Sequence, residues 1–221
     1  MTLRTLAVAL AAALVAAGPL GGEAAEDPLA GDLRDLRVGM SVAELPAEGY
    51  VEFACGNDGA APGPAIAGWQ AYAACPADAA GLHEVAFRYD ESLNPWAQVN
   101  DDWKGTRVAG HPVVPSLLID ERGVVQGLRI VTDPSARLYH KKKAFLMYIR
   151  VMGRYGQDGW ACVEREPAEG RMPVGGMYID RSCEKQFHDR RLLLDTDLYR
   201  TAEQRGQEFT GRTRLEILAA G

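Results

Sequence analysis

Apolar positions fall into short alternating runs over most of the chain and into a helical stripe in one place. GYVEFACG sets Tyr50, Glu52 and Ala54 against Val51, Phe53 and Cys55, and HEVAFRYD puts Val85, Phe87 and Tyr89 on one face. Both patterns predict half-buried strands. VVPSLLIDERGVVQGLRIVTD carries two β-rich runs around Asp120-Glu121-Arg122-Gly123, where Gly123 supplies the left-handed position of a bulged hairpin. Between Tyr139 and Tyr155, the residues Phe145, Tyr148, Ile149 and Met152 recur at i, i+3, i+4 and i+7, which predicts an amphipathic helix stopping near Gly156. Ser41 with Glu44 forms a capping box for a short helix from Val42, limited by Pro46. GWACVER, MYIDRSC, RRLLLDTDLY and RTRLEILAA predict further strands and turns.

The N-terminus follows a different rule. An Arg at position 4 precedes an unbroken apolar block from Leu6 to Ala17, and small residues follow. Charged start, apolar middle and small-residue exit are the layout of a secretory signal peptide, here residues 1–25, with cleavage expected between residues 17 and 25. The block is short of the roughly 20 residues of a membrane-spanning helix, so no membrane span is expected. Arg outnumbers Lys 19 to 5 and Ala is abundant, a composition associated with GC-rich bacteria, and the expected location is the periplasm. The net charge of −6 argues against a nucleic-acid partner, which selects a basic face.

Four cysteines in an exported chain imply two disulfides. Three connectivities exist, and the expected one closes both loops locally: Cys55 with Cys75 and Cys162 with Cys183. No C-x₂₋₄-C zinc pair or C-x-x-C redox pair occurs. Each half also carries a Gly, an aromatic and an Ala-Cys pair (GYVEFAC, GWAC), a turn-rich loop to a second Cys, and a strand ending in Asp (HEVAFRYD, RRLLLDTD). The expectation is an α+β protein of two related lobes, residues 26–137 and 138–221, each an antiparallel sheet with helical cover and a local disulfide.

Val38-Gly39-Met40-Ser41 followed by Glu44-Leu45 resembles the Gly-Met-Ser/Thr helix start of the SmpA/OmlA (BamE)-like outer-membrane lipoproteins and of each repeat in the secreted beta-lactamase-inhibitor-protein-like group. Gly123-Val124-Val125-Gln126-Gly127 resembles a strand start of the same group. The resemblance implies tandem α/β repeats on a curved antiparallel sheet and a binding or assembly role. The second half, at MYIRVMGRYG, lacks that helix start.

A scan for chemistry finds little. His83, His111, His140 and His188 show no H-x-x-x-H or H-E-x-x-H spacing, and no G-x-S-x-G surrounds any serine. Counting Asp90 as position 1, oxygen-bearing side chains fall at 1, 3, 5, 9 and 12: Asp90, Ser92, Asn94, Gln98 and Asp101. That is the rhythm of a calcium-like cation loop, with Pro95 where Gly belongs. Lys141, Lys142 and Lys143, placed near a helix N-terminus, oppose its dipole and mark a candidate partner contact. Trp69 and Tyr72 in the first cysteine loop are either core anchors or partner contacts. The functional expectation is a non-catalytic binding or accessory protein acting on another periplasmic protein, without a resident cofactor. A small-ligand or cation carrier is the alternative and a cryptic periplasmic hydrolase the second alternative.

Overall fold

The computed structural model describes residues 32–93 and 105–220. The signal-peptide segment and Asn94, Pro95, Gln98 and Asp101 of the candidate cation loop lie outside the described residues. The strands are β1 Tyr50–Cys55, β2 His83–Tyr89, β3 Arg107–Val108, β4 His111–Ile119, β5 Val125–Thr132, β6 Ala161–Glu164, β7 Arg171–Met172, β8 Ile179–Phe187, β9 Arg190–Thr201 and β10 Thr210–Ala219. They build one antiparallel sheet in the order β1-β2-β4-β5-β10-β9-β8-β6, with β3 on β4 and β7 on β9. The helices are α1 Leu138–Lys142 and α2 Phe145–Arg154. Strand-rich α+β architecture with two disulfides is thus what the chain forms.

Each half of the chain supplies a meander to one half of the sheet, and the last strand of each, β5 and β10, pair at its centre. The halves do not match residue for residue as the cysteine spacing suggested. HEVAFRYD is the second strand of its half, whereas RRLLLDTD lies in β9, the third of the other. The disulfides differ as well. Cys55–Cys75 ties β1 to a 3-10 turn at Trp69–Ala74, while Cys162–Cys183 joins directly opposed residues of β6 and β8. Loops of 20 and 21 residues therefore close by unrelated geometries.

The expected hairpin forms between β4 and β5. Asp120 N–H donates to the Val124 carbonyl, Gly123 N–H to the Asp120 carbonyl, and Gly123 sits at φ +75°. The Asp120 carboxylate completes the turn by accepting from the backbone N–H of Arg122 and Val124, both at 2.9 Å.

Two expectations are corrected. The Ser41/Glu44 box closes, with Glu44 Oε2 accepting from Ser41 N and Oγ at 2.8 Å, but it caps a turn and no helix follows. Pro46 leaves no room for a second turn to offset helix nucleation. The Tyr139–Tyr155 helix is broken at Lys143-Ala144, and its buried stripe is Ala144, Met147, Tyr148, Val151 and Tyr155. Ile149 is exposed. Two apolar stripes shared Tyr148, and packing against β9 and β10 chose the one with Ala144, whose carbonyl accepts from Thr213 Oγ1 at 2.9 Å.

One sheet face is the core, carrying Val85, Leu117, Leu128, Ile217 and Leu192 in adjacent register. It is covered by α2, the Trp69–Ala74 turn and the segment from Asp32 to Leu45, whose Leu36 is fully buried. That segment is fixed by backbone bonds between Gly39 N and Val125 O and between Val125 N and Met40 O. The opposite face is where the charged residues of the strands converge, with Leu118 and Val131 buried among them.

Candidate interaction surface

Along the polar face, strand register puts Ser116 opposite Arg129 and Arg129 opposite Glu216. Alternation alone delivers these side chains to the same side. Arg129 Nη1 donates to Glu84 Oε2 at 2.7 Å and its Nε to Glu216 Oε1 at 2.6 Å, while Ser116 Oγ donates to Glu84 Oε1 at 2.6 Å. Arg214 reaches Glu216 Oε1 at 2.6 Å and Asp58 Oδ1 at 2.7 Å, and Asp58 also lies 3.3 Å from Arg129 Nη1. Asp58 comes from the loop after β1, whose Gly59 packs so closely on Val131 that any Cβ there would fall within the Val131 side chain. Burial works against the Arg129 charge, but hydrogen bonding to Glu216 and the charges of Glu84, Glu216 and Asp58 outweigh it and raise its pKa.

A second cluster occupies the half of the face built by β8, β9 and β10. Asp180, Asp197 and Arg212 stand in one cross-strand row, beside Ser182, Asp195 and Arg214 in the next. The buried Asp180 carboxylate receives Arg165 Nη1 at 2.7 Å and Arg171 Nη1 at 2.5 Å, and Arg171 also stacks 4.2 Å from the Tyr199 ring centroid. Burial pushes the Asp197 pKa up, and Arg212, 3.0 Å away, opposes the shift. An open cavity of about 500 Å³ lies over this cluster. Farther along β9, Arg191 and Glu184 pair at 2.7 Å, both half exposed. The surface is therefore a fixed lattice of guanidinium and carboxylate groups. Forked Arg–carboxylate pairs hold geometry better than Lys pairs do, which gives the Arg-rich composition a physical use.

Of the residues singled out from sequence, both disulfides form as expected. Trp69 is a core anchor, 5% exposed, donating its indole N–H to the Pro46 carbonyl at 2.9 Å and meeting Tyr50, Phe53 and Phe87 edge-on. Tyr72 is half-buried, with its hydroxyl 3.3 Å from the Glu121 carbonyl. The three lysines lie at the junction of the two helices, with Lys143 directly before Ala144, the N-cap of α2. Lys141 and Lys142 are in the last turn of α1 and Lys143 is its C-cap, a position cations favour. Of the candidate cation loop, Asp90 and Ser92 are described, and there Asp90 Oδ1 accepts from Ser92 N at 2.9 Å and Oγ at 2.6 Å, a turn closed on itself that lowers the Asp90 pKa. Among the described residues no group of three or more His, Cys, Asp or Glu is placed to hold a metal ion.

Sequence reasoning missed the lattice. Its signal was present in the alternation of RRLLLDTD and GRTRLEI, where Asp195, Asp197, Arg212, Arg214 and Glu216 occupy every second position. Spacing gave His111 no particular place, yet it is buried, its Nδ1 has no hydrogen-bond partner among the described residues, and its pKa is lowered by burial and then by Arg150, His140 and Arg107.

Two disulfides are bonds of an extracellular or periplasmic protein. Among the described residues no helix is long and apolar enough to cross a membrane. Comparison with known proteins gives no match among family models, curated proteins or solved structures.

Proposed function

We propose that this chain is an exported, periplasmic, non-catalytic binding or accessory protein that engages another protein through the polar face of its sheet. The observation that carries the reading is the asymmetry of the two faces: one is sealed by helix and turns, while the other presents ordered Arg–carboxylate pairs over β8, β9 and β10 to solvent. A rigid, charge-patterned surface offers orientation and selectivity to an oppositely patterned partner, and its side chains are ordered before binding, which lowers the entropic cost of association. The signal-like N-terminus and the disulfides support export. The mirrored strand order of the two halves supports the reading of two related lobes, fused through β5 and β10.

The test is crosslinking and affinity recovery from the periplasm of the source cell, comparing the native protein with an Arg165→Glu/Arg191→Glu variant. Both sites are about half exposed, and Asp180 retains Arg171, so the variant should keep its fold. Recovery of one reproducible protein by the native chain and its loss by the folded variant is expected. Failure of the native chain to recover any protein, or equal recovery by the variant, would overturn the reading.

A further inference from the structure

Beyond the polar face, a cleft of about 740 Å³ opens where β5 ends and β10 begins, between the loop at Asn57–Ala61 and α1. Its volume falls within the roughly 300–1,000 Å³ of small-molecule sites. Val131, Pro134, Ala61 and Phe209 give it apolar walls. The backbone is built for close approach here: a Cβ at Gly211 would strike the Lys141 carbonyl, so only Gly lets α1 sit this near to β10.

The charges around this cleft are not equivalent. Asp58, the acid in its lining, is held by Arg129 at 3.3 Å and Arg214 at 2.7 Å. Arg212 is directed to Asp197 through Nε at 3.2 Å and Nη2 at 3.0 Å. Lys141 is different. It is half-buried, its Nζ lies 5.9 Å from the Phe209 ring centroid, and among the described residues it makes no ion pair. An uncommitted ammonium beside an aromatic ring, over apolar walls, is a place for one negative charge attached to an apolar body.

We infer that this cleft binds a small monocarboxylate, its carboxylate on Lys141 Nζ and its hydrocarbon or aromatic body against Phe209 and Val131. A phosphate group would call for several converging donors or a guanidinium fork, whereas a single point-charge donor suits a carboxylate. Arg165 and Arg191 are not in its lining, although Arg212 borders both this cleft and the cavity over Asp180, and small-molecule binding is tested without recovery of a protein partner.

Titration calorimetry of the disulfide-bonded protein with octanoate, 3-phenylpropionate and acetate tests it. Octanoate or 3-phenylpropionate should bind saturably at one site, with acetate much weaker because it lacks the body. Lys141→Glu and the stem-preserving Lys141→Met should each weaken binding about tenfold or more, the loss of one charge-assisted contact. Lys142→Glu makes the same charge change on the neighbouring, more exposed residue and should leave binding at the native level. Absence of saturable binding to both larger probes, acetate binding as tightly as they do, or an equal loss in Lys142→Glu would each overturn the assignment.

Discussion

The carboxylate of Asp32, with no exposed side-chain surface, lies 3.3 Å from Nε of Arg190, a residue 158 positions further along the chain. The same carboxylate accepts from Val38 N–H at 2.7 Å. The pair therefore pins the segment that covers the core to β9. Burial raises the Asp32 pKa, with the Val38 hydrogen bond and Arg190 opposing it, so the pair is held by the surrounding structure rather than by a large electrostatic surplus. Removing one partner of a buried pair costs about 3–5 kcal/mol, and the low end applies here because Arg190 keeps the Asp189 carboxylate on its Nη1 at 2.6 Å. Asp32→Ala should lose stability of that order in urea unfolding, and Asp32→Asn, which keeps an acceptor for Val38, should lose less. Equal losses would show that charge alone matters at this position.

Arg129 serves three carboxylates at once, so its truncation should exceed that of either glutamate alone. Arg129→Ala leaves Glu84 and Glu216 in a nearly closed environment, and about 3–5 kcal/mol of destabilisation is expected. Because Glu216 is also held by Arg214 at 2.6 Å, the Arg129/Glu216 double-mutant cycle should show a coupling of about 1 kcal/mol or more without accounting for the whole loss. Denaturant midpoints for the four proteins of the cycle provide the measurement. A coupling near zero would mean that the network is held by burial and not by the pair.

The two disulfides should differ in how easily they are reduced. Cys55 and Cys75 are 5% and 2% exposed, and Cys183 is also buried at 3%, but its partner Cys162 is exposed on β6, the terminal strand of the sheet. Thiol attack requires access to sulfur. Graded dithiothreitol followed by alkylation and peptide mass mapping should therefore label Cys162 and Cys183 first. Each bridge closes a loop of similar length, so replacing either pair with alanine should cost a comparable amount, about 3 kcal/mol by the chain-entropy model. Simultaneous labelling of all four cysteines would place the opening of β6 at the level of global unfolding.

Particular residues show what was legible in the chain. The hairpin at Asp120–Gly123, the strands of Tyr50–Cys55 and His83–Tyr89 and the local disulfides follow from alternation, turn chemistry and spacing, all of which are local. The helix stripe did not follow, because Phe145/Ile149/Met152 and Ala144/Met147/Val151 are both apolar and only packing against β9 and β10 distinguishes them. The polar lattice was hidden for a related reason. Glu84, Arg129 and Glu216 are separated by 45 and 87 positions, and only strand order brings them together. From sequence Lys141 is legible only as one of three lysines near a helix N-terminus. Its position beside Phe209 depends on how α1 meets β10.

His111 should make the protein acid-sensitive. It is buried at the start of β4, and its pKa lies below the usual 6.5 because burial disfavours the cation and because Arg150 on α2, His140 on α1 and Arg107 on β3 add like charge. In the unfolded chain the same ring titrates near its ordinary value, so below pH 6.5 the unfolded state binds the proton first. Stability then falls as pH decreases, since ∂ΔG/∂pH is positive where the unfolded state holds more protons. The contribution is complete above the unfolded value and is lost as pH falls towards and through the folded one. His111→Leu cannot take up a proton and should flatten the pH dependence of the urea midpoint between pH 7 and about pH 5, whatever its effect on absolute stability. A native slope retained in His111→Leu would assign the acid response to other groups.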